Sequence, residues 1–226
     1  MILDNALAAL RAASEPDRAD RMLGHHKVPR VYLGVPNPAM NILTTEWRQS
    51  LDVPNRITLA RDLWDTDIFE ARIAAAKLLT QARLRPDDAA WALIQDWVAT
   101  FDSWAIADAA CSAGQRRLLA DPARLDIVEG WTTSDHLWTR RAALVITLPW
   151  TKQNHPSAAD AAIRDRVLGW AATYAEDPEW FIQKAIAWWV RDLSRHDAPR
   201  ARAFLDTHGA RLKPFARKEL VRHLAD

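Results

Sequence analysis

The chain has 226 residues, and its 30 Lys and Arg against 29 Asp and Glu give a nearly neutral protein with a formal net charge of +1. This length suits one large domain or two small ones. Cys111 is the single cysteine, which excludes an internal disulfide and a cysteine-based metal site. The longest strongly apolar run, 142–149, is too short to span a bilayer, and the first residues lack a signal pattern. We therefore expect a soluble, cytoplasmic protein with no membrane partner.

The composition predicts an all-α fold. Glycine is scarce, with 6 residues, and no segment shows the sustained apolar and polar alternation that is typical of strands. Prolines stand mostly at the edges of segments, where they suit the first turn of a helix. The predicted helices are 3–13, 16–24, 38–50, 54–64, 68–82, 87–100, 103–119, 122–130, 137–148, 158–176, 178–194, 198–207 and 214–224. Between them, 31–38 is predicted as a stiff turn and 149–157 as the longest loop of the second half.

From residue 54 onward the predicted helices pair into antiparallel hairpins of about 35 to 40 residues, the period of HEAT-like repeats. Five segments repeat in phase, DIFEARIA, DSWAIADA, DHLWTRRA, PEWFIQKA and LKPFARKE, and they start at residues 67, 102, 135, 178 and 212. The predicted loop at 149–157 explains the longest interval between two starts. We predict a helical solenoid that forms a single domain over 1–226, with N-terminal capping helices in 1–53 and repeats in 54–226.

Charged and aromatic residues interrupt the apolar pattern of these segments at one helical phase. The seventh position is occupied by Ile73, Asp108, Arg141, Lys184 and Lys218. One helical turn later the chain has Lys77, Ser112, Val145, Trp188 and Arg222. If stacked helices share this phase, these side chains line one continuous concave surface, and that surface is where we expect the function.

The charges are distributed unevenly along the chain. Residues 62–108 contain four Lys and Arg against nine Asp and Glu, whereas residues 181–226 contain ten against five. A basic half on a nearly neutral protein indicates a polyanion bound at one end. Ordinary solvated helix faces would produce the same asymmetry.

Trp104 and Asp108 lie one turn apart on the same face of a predicted helix. Asp108 is flanked by Ile106, Ala107 and alanines, so its carboxylate has few local polar partners. A buried, unpaired carboxylate would cost several kcal/mol, so Asp108 needs a cation or an exposed cleft. A structural salt bridge to Arg141 in the next repeat is the alternative to a catalytic role.

The following repeats add cations and aromatic rings to the predicted surface. Arg140 and Arg141 point to adjacent faces, so one can pair within the fold while the other binds a phosphate through its bidentate fork. Lys184, Trp188 and Arg191 form a stripe of cation, aromatic ring and cation that suits an anionic backbone and a sugar or base. The residues predicted to contact DNA are Arg140, Arg141, Trp180, Lys184, Arg191, Lys218 and Arg222. Trp189 and the remaining tryptophans, such as Trp64, Trp91, Trp97 and Trp170, are expected in the core.

Other classes of site lack the residues that they need. His25 and His26 have no further His or carboxylate at a spacing typical of zinc, so we expect no metal. The sequence has no Walker A loop, no dinucleotide glycine fingerprint and no serine nucleophile elbow. We therefore expect no cofactor.

Six motifs occur in order along nearly the whole chain: Tyr32-Leu-Gly-Val, Asp62-Leu-Trp64 with Glu70, Trp104-x3-Asp108, Leu137-Trp-Thr-Arg-Arg141-Ala-Ala, Phe181-Ile-Gln-Lys-Ala-Ile-Ala-Trp188-x2-Arg191 and Pro214-Phe-Ala-Arg217-Lys218-Glu. In this order they resemble the HEAT-like-repeat DNA alkylation repair glycosylases of the AlkD-like type. The resemblance implies a monomeric, monofunctional glycosylase that removes N3-alkyladenine and N7-alkylguanine from damaged duplex DNA, and that is nucleoid-associated when bound.

The resemblance also assigns roles to individual residues. It implies that Asp108 is catalytic, that Trp104 and Trp188 flank the damaged nucleotide, and that Arg141 and Arg191 hold the DNA backbone. Two positions depart from the family pattern: Pro36-Asn37 replaces a polar pair after the Leu-Gly turn, and Pro149 replaces a lysine, for which Lys152 is a candidate substitute.

The chemistry of alkylated purines fits such a site. Alkylation at N3 or N7 makes the purine a cationic leaving group, so the enzyme must mainly stabilise an oxocarbenium-like sugar and orient water. One carboxylate can do both, and we expect an open concave face without a deep base pocket. The principal rival is a non-catalytic HEAT-repeat module that binds nucleic acid or protein through the same face. A pure phosphate-binding groove would gain nothing from Asp108.

Overall fold

The computed structural model describes residues 2–224, and within them every regular element is helical. The α-helices are α1 (Leu3–Ala12), α2 (Pro16–His26), α3 (Asn37–Ser50), α4 (Val53–Asp65), α5 (Phe69–Leu78), α6 (Asp88–Val98), α7 (Trp104–Ala120), α8 (Leu125–Trp131), α9 (Leu137–Val145), α10 (Ala158–Thr173), α11 (Trp180–Ser194), α12 (Ala198–His208) and α13 (Pro214–Leu220). Short 3-10 helices cover Pro122–Arg124, Leu148–Lys152, Gly209–Arg211 and Val221–His223. The predicted all-α class is confirmed, with one α-helix in each predicted segment.

Side-chain caps explain several helix starts. Asp52 accepts a hydrogen bond from the Asn55 amide at the start of α4. Ser157 and Asp160 form a reciprocal capping box at the start of α10. Such caps satisfy amide groups of the first turn that have no partner within the helix.

Several predicted boundaries need correction: α9 ends at Val145 rather than at 148, α10 at Thr173 rather than at 176, and α13 at Leu220 rather than at 224. The predicted loop 149–157 contains the 3-10 helix Leu148–Lys152, which is anchored by the buried Trp150; its Nε1 donates to Asp160 Oδ1 at 3.0 Å. Helix α5 ends at Leu78 rather than at residue 82. Just after this helix end, the buried Arg117 donates a hydrogen bond of 2.6 Å to the Gln81 carbonyl.

The helices group into two compact units, one that ends at Ala120 and one that begins at Asp121. In the first unit α4 packs against α5, α6 packs against α7, and α5 and α7 pack side by side. Ala71, Ala74, Ala75 and Ala76 of α5 are fully buried, and such small side chains allow neighbouring helices to approach closely. This is the hairpin arrangement expected for these residues.

In the second unit α8 packs against α9, and α11 packs against α9, α12 and α13. Trp189 is fully buried in α11, and its Nε1 donates to Thr147 Oγ1 at 3.2 Å, so its predicted core position is confirmed. The predicted core tryptophans Trp64, Trp91, Trp97 and Trp170 are also buried. The single domain over 1–226 stays a prediction. None of the helices within 2–224 has the length and apolarity needed to cross a bilayer.

Candidate nucleic-acid interface

Trp104 and Asp108 share one face of α7 in the first unit. Trp104 is the first residue of the helix, and its side chain is 39 % exposed. Asp108 follows one turn later and is half-buried, and the Ser112 hydroxyl donates to the Asp108 carbonyl oxygen at 2.8 Å. The neighbouring positions 105 and 109 are alanines, so the indole and the carboxylate are the functional groups that this stretch of α7 presents.

A cleft of about 550 Å³ lies beside Trp104 within the first unit, where we predicted an open face without a deep base pocket. Helix α2 contributes Arg18 and His26 to its wall, and α3 contributes Asn41 and Arg48. Helices α5 and α7 supply the remaining wall. The open surface that we predicted is therefore indented beside Trp104, whereas the candidate catalytic residue Asp108 is not among the residues that line the cleft.

Where α5 and α7 line this cleft, the predicted helical phase holds at two positions but not at the seventh, because Ile73 lines the cleft and Asp108 does not. Phe69 and Trp104, which share the third repeat position, both contribute to the wall. Lys77 and Ser112, which share the position one turn after the seventh, do so as well. Two adjacent repeats of this unit thus present equivalent positions to one cavity.

Glu70 fixes the connection between α2 and α3 against α5. It is 1 % exposed, and its carboxylate accepts hydrogen bonds from the amides of Leu33 and Gly34 at 2.8 and 2.7 Å. Gly34 has a φ of 75°, and a Cβ at this position would collide with the Glu15 carbonyl oxygen, so glycine is required. The sequence motif contained both residues, but only the fold shows that Glu70 holds the Leu-Gly turn at the cleft.

His26 lies against Trp104, a contact that the sequence analysis did not foresee. Its ring centroid is 5.5 Å from Trp104 and 4.7 Å from Phe69. Burial lowers the pKa of His26, and the nearby charges of His25 and Arg30 lower it further, so this ring favours the neutral form. The sequence offers His26 only as a candidate metal ligand. Within residues 2–224, no cluster of His, Cys, Asp and Glu is arranged to hold a metal.

The two arginines of α9 differ in their surroundings. Arg140 donates to the carbonyls of Ser134 and Asp135 at 2.9 and 3.0 Å and pairs with Asp177 at 3.3 Å. Arg141 is 3 % exposed, and its guanidinium carbon lies 5.8 Å from the Trp138 ring centroid. Much of the donor capacity of Arg140 is used within the fold, and Arg141 is buried.

Helix α11 carries the predicted stripe of two cations and one aromatic ring. Lys184 Nζ lies 4.8 Å from the centroid of the Trp180 ring. Trp188 is half-buried, and its Nε1 donates to Asp192 Oδ2 at 3.1 Å. Arg191 pairs with Asp192 at 3.2 Å and also with Glu219. A phosphate that binds Arg191 must therefore compete with two carboxylates.

The end of the second unit exposes another aromatic ring and two cations. Trp180 is 46 % exposed, and its ring stacks on Phe215 at a centroid distance of 5.5 Å. Lys218 of α13 and Arg222 of the following 3-10 helix are exposed. These side chains are accessible to a polyanion, and their DNA contacts stay a prediction.

Comparisons with known proteins place this geometry in context. A family model described as DNA alkylation repair enzyme matches residues 6–224. The chain is similar to a predicted DNA alkylation repair enzyme from Enterococcus faecalis, with 20 % identity over 94 % of this chain and 97 % of that one, and a TM-score of 0.79. It is also similar to AlkD2 from Streptococcus mutans, with 17 % identity over 92 % and 97 % of the two chains and a TM-score of 0.63. At these identities the structural likeness shows the fold. A search of curated proteins found no match.

Proposed function

The chain belongs to the DNA alkylation repair enzyme family, and on that basis we propose that it is a monofunctional DNA glycosylase. Its substrates are N7-methylguanine and N3-methyladenine in damaged duplex DNA, where it hydrolyses the bond between base and sugar. One chain suffices for the reaction, and no metal or cofactor takes part.

The observation that carries the proposal is the pairing of an exposed indole with a carboxylate on one face of α7. Trp104 keeps 39 % of its surface exposed, whereas most tryptophans of the chain are packed in the core. A surface that binds DNA through cations alone would gain nothing from a carboxylate such as Asp108 beside an exposed indole. A cationic transition state does, because a carboxylate and an indole face both stabilise positive charge.

Each residue has one role in the proposed reaction. The carboxylate of Asp108 opposes the positive charge that develops on the sugar, and it orients the water that attacks C1′. The ring of Trp104 packs beside the same sugar, and for Trp188 the family resemblance implies that it also flanks the damaged nucleotide. The base leaves as a neutral purine because its alkyl group had made it cationic, so no strong acid is needed.

The direct test is release of free 7-methylguanine from methylated duplex DNA. The purified protein should release the base and leave abasic sites with uncut strands, because a monofunctional enzyme does not cleave the backbone. Binding of the duplex without any release would support the rival, a non-catalytic HEAT-repeat module.

The proposed mechanism predicts strong selectivity for charged lesions. We expect rapid release of N7-methylguanine and N3-methyladenine and essentially no release of hypoxanthine or 1,N6-ethenoadenine. A neutral purine must be protonated before it leaves, and the nearby His26 favours its neutral form. Base release from duplexes with one defined lesion measures this selectivity. Efficient hypoxanthine release would show that the site contains a working acid, for which His26 is the first candidate.

DNA binding should depend on the exposed cations of the second unit. We expect Lys218→Met and Arg222→Met each to reduce the slope of log affinity against log salt by about 0.9, on damaged and undamaged duplexes alike. Arg140→Met should leave the slope unchanged and lower the melting temperature, because its donors serve carbonyl groups of the fold.

The same measurements decide the roles of Arg141 and Arg191. A reduced salt slope for Arg141→Ala or Arg191→Ala supports the phosphate contacts that the resemblance implies. A sharp fall in melting temperature with an unchanged slope assigns the residue to the fold instead.

A further inference from the structure

The cleft beside Trp104 has an excess of positive charge, although it lies in the acidic part of the sequence. Arg18, Arg48 and Lys77 line it. Glu70 is the one carboxylate among its lining residues, and two backbone amides already occupy its oxygens. The remaining acids of residues 62–108, Asp108 included, are not among the lining residues. An anionic ligand therefore suits this cavity better than a cationic one.

Two cations of the cleft, Lys77 and Arg48, have neutral hydrogen-bond partners. Lys77 Nζ donates to Asn41 Oδ1 at 2.8 Å, and Arg48 donates to the Lys77 carbonyl and to Thr80 Oγ1, both at 3.1 Å. Within residues 2–224, no carboxylate lies within ion-pair distance of Lys77 or Arg48. Burial lowers the pKa of Lys77, and the Arg48 guanidinium lowers it further. An anion bound between these two groups would offset both effects.

The cleft has an aromatic end and a cationic end. Phe69 and Trp104 stand at the starts of α5 and α7, and Lys77 and Ser112 follow eight residues later on the same helices. Eight residues of α-helix span about 12 Å, and a DNA strand advances that far in roughly three nucleotides. A strand whose sugar packs on Trp104 can therefore bring one of its own phosphates to Lys77.

We propose that Lys77, together with Asn41 and Arg48, binds a backbone phosphate of the damaged strand, within about three nucleotides of the lesion at Trp104. The Asn41 oxygen already accepts from Lys77, so the amide nitrogen remains as a donor. An ammonium, an amide and a guanidinium then converge on one tetrahedral anion. The inference rests on the proposed function, because that function supplies the damaged DNA strand as the ligand.

The test uses a duplex with a tetrahydrofuran abasic site, which no glycosylase can process. Single methylphosphonates replace the phosphates near this site one at a time, and binding is measured for the intact protein and for Lys77→Met. Arg61→Met, an exposed cation on α4, is the matched control, and Lys77→Arg retains the charge.

We expect one methylphosphonate to weaken binding by the wild-type protein about fivefold and to have no further effect on Lys77→Met. That variant should bind the unmodified duplex about fivefold more weakly, and its salt slope should fall by about 0.9. Lys77→Arg and Arg61→Met should behave like the wild type. The inference is wrong if Lys77→Met keeps the wild-type salt slope and phosphate profile.

Two further results separate the possible explanations. Inorganic phosphate could compete with the duplex less well for Lys77→Met than for the wild type, while duplex binding itself stays unchanged. That result would assign the site to free phosphate and overturn the inference. Absence of 7-methylguanine release by the wild type would overturn the proposed glycosylase alone, because the methylphosphonate profile measures binding without catalysis.

Discussion

Asp108→Asn should abolish base excision while duplex binding stays within a few fold of the wild type. The amide has the shape of the carboxylate but not its charge, so it cannot oppose the positive charge on the sugar. We expect a loss on the order of 3 kcal/mol of transition-state stabilisation, or about a hundredfold in rate. Single-turnover release of 7-methylguanine and equilibrium binding of the same duplex measure the two effects separately.

Asp96→Asn is the matched control for this experiment. Asp96 belongs to α6 of the same unit and is exposed, so the substitution removes the same charge away from the cleft. The Asp96→Asn variant should release 7-methylguanine at the wild-type rate. Near wild-type excision by Asp108→Asn as well would remove Asp108 from the catalytic machinery and favour the non-catalytic binding module.

Glu70→Ala should lower the stability of the protein by about 3 kcal/mol, because it leaves the part-buried amide of Leu33 and the buried amide of Gly34 without the carboxylate that accepts both hydrogen bonds. For a chain of this size, that loss corresponds to a fall of roughly 6 to 12 °C in melting temperature. Glu70→Gln should lose less stability, because the amide oxygen of glutamine still accepts one of the two hydrogen bonds. Thermal unfolding followed by circular dichroism measures both variants.

Glu46→Ala provides the comparison for Glu70. Glu46 is exposed on α3, and removal of its side chain should change the stability by less than about 0.5 kcal/mol. Equal melting temperatures for the two alanine variants would mean that Glu70 does not hold the Leu-Gly turn. Because this turn stands at the cleft, Glu70→Ala should also excise more slowly at temperatures where it remains folded.

The helices and their phase could be read from the sequence because both depend on residues close together in the chain. Periodic apolar positions and prolines located thirteen helices, and the repeat phase placed Phe69 with Trp104 and Lys77 with Ser112 on one cleft. The predicted core position of Trp189 followed from the same period. An α-helix repeats every 3.6 residues, so its buried and exposed faces follow from spacing alone.

The tertiary structure decided which charged side chains are available to a ligand. Arg140, Arg141 and Arg191 are equivalent candidates in the sequence, yet one is tied to carbonyls, one is buried and one is paired with two carboxylates. The partners of such residues lie as many as 37 positions away, as for Arg140 and Asp177. No local sequence pattern predicts these contacts, because residues so far apart in the chain meet only when the helices pack. For the same reason the acidic part of the sequence contains a cleft lined with cations, where Glu70 is the one acid among the lining residues.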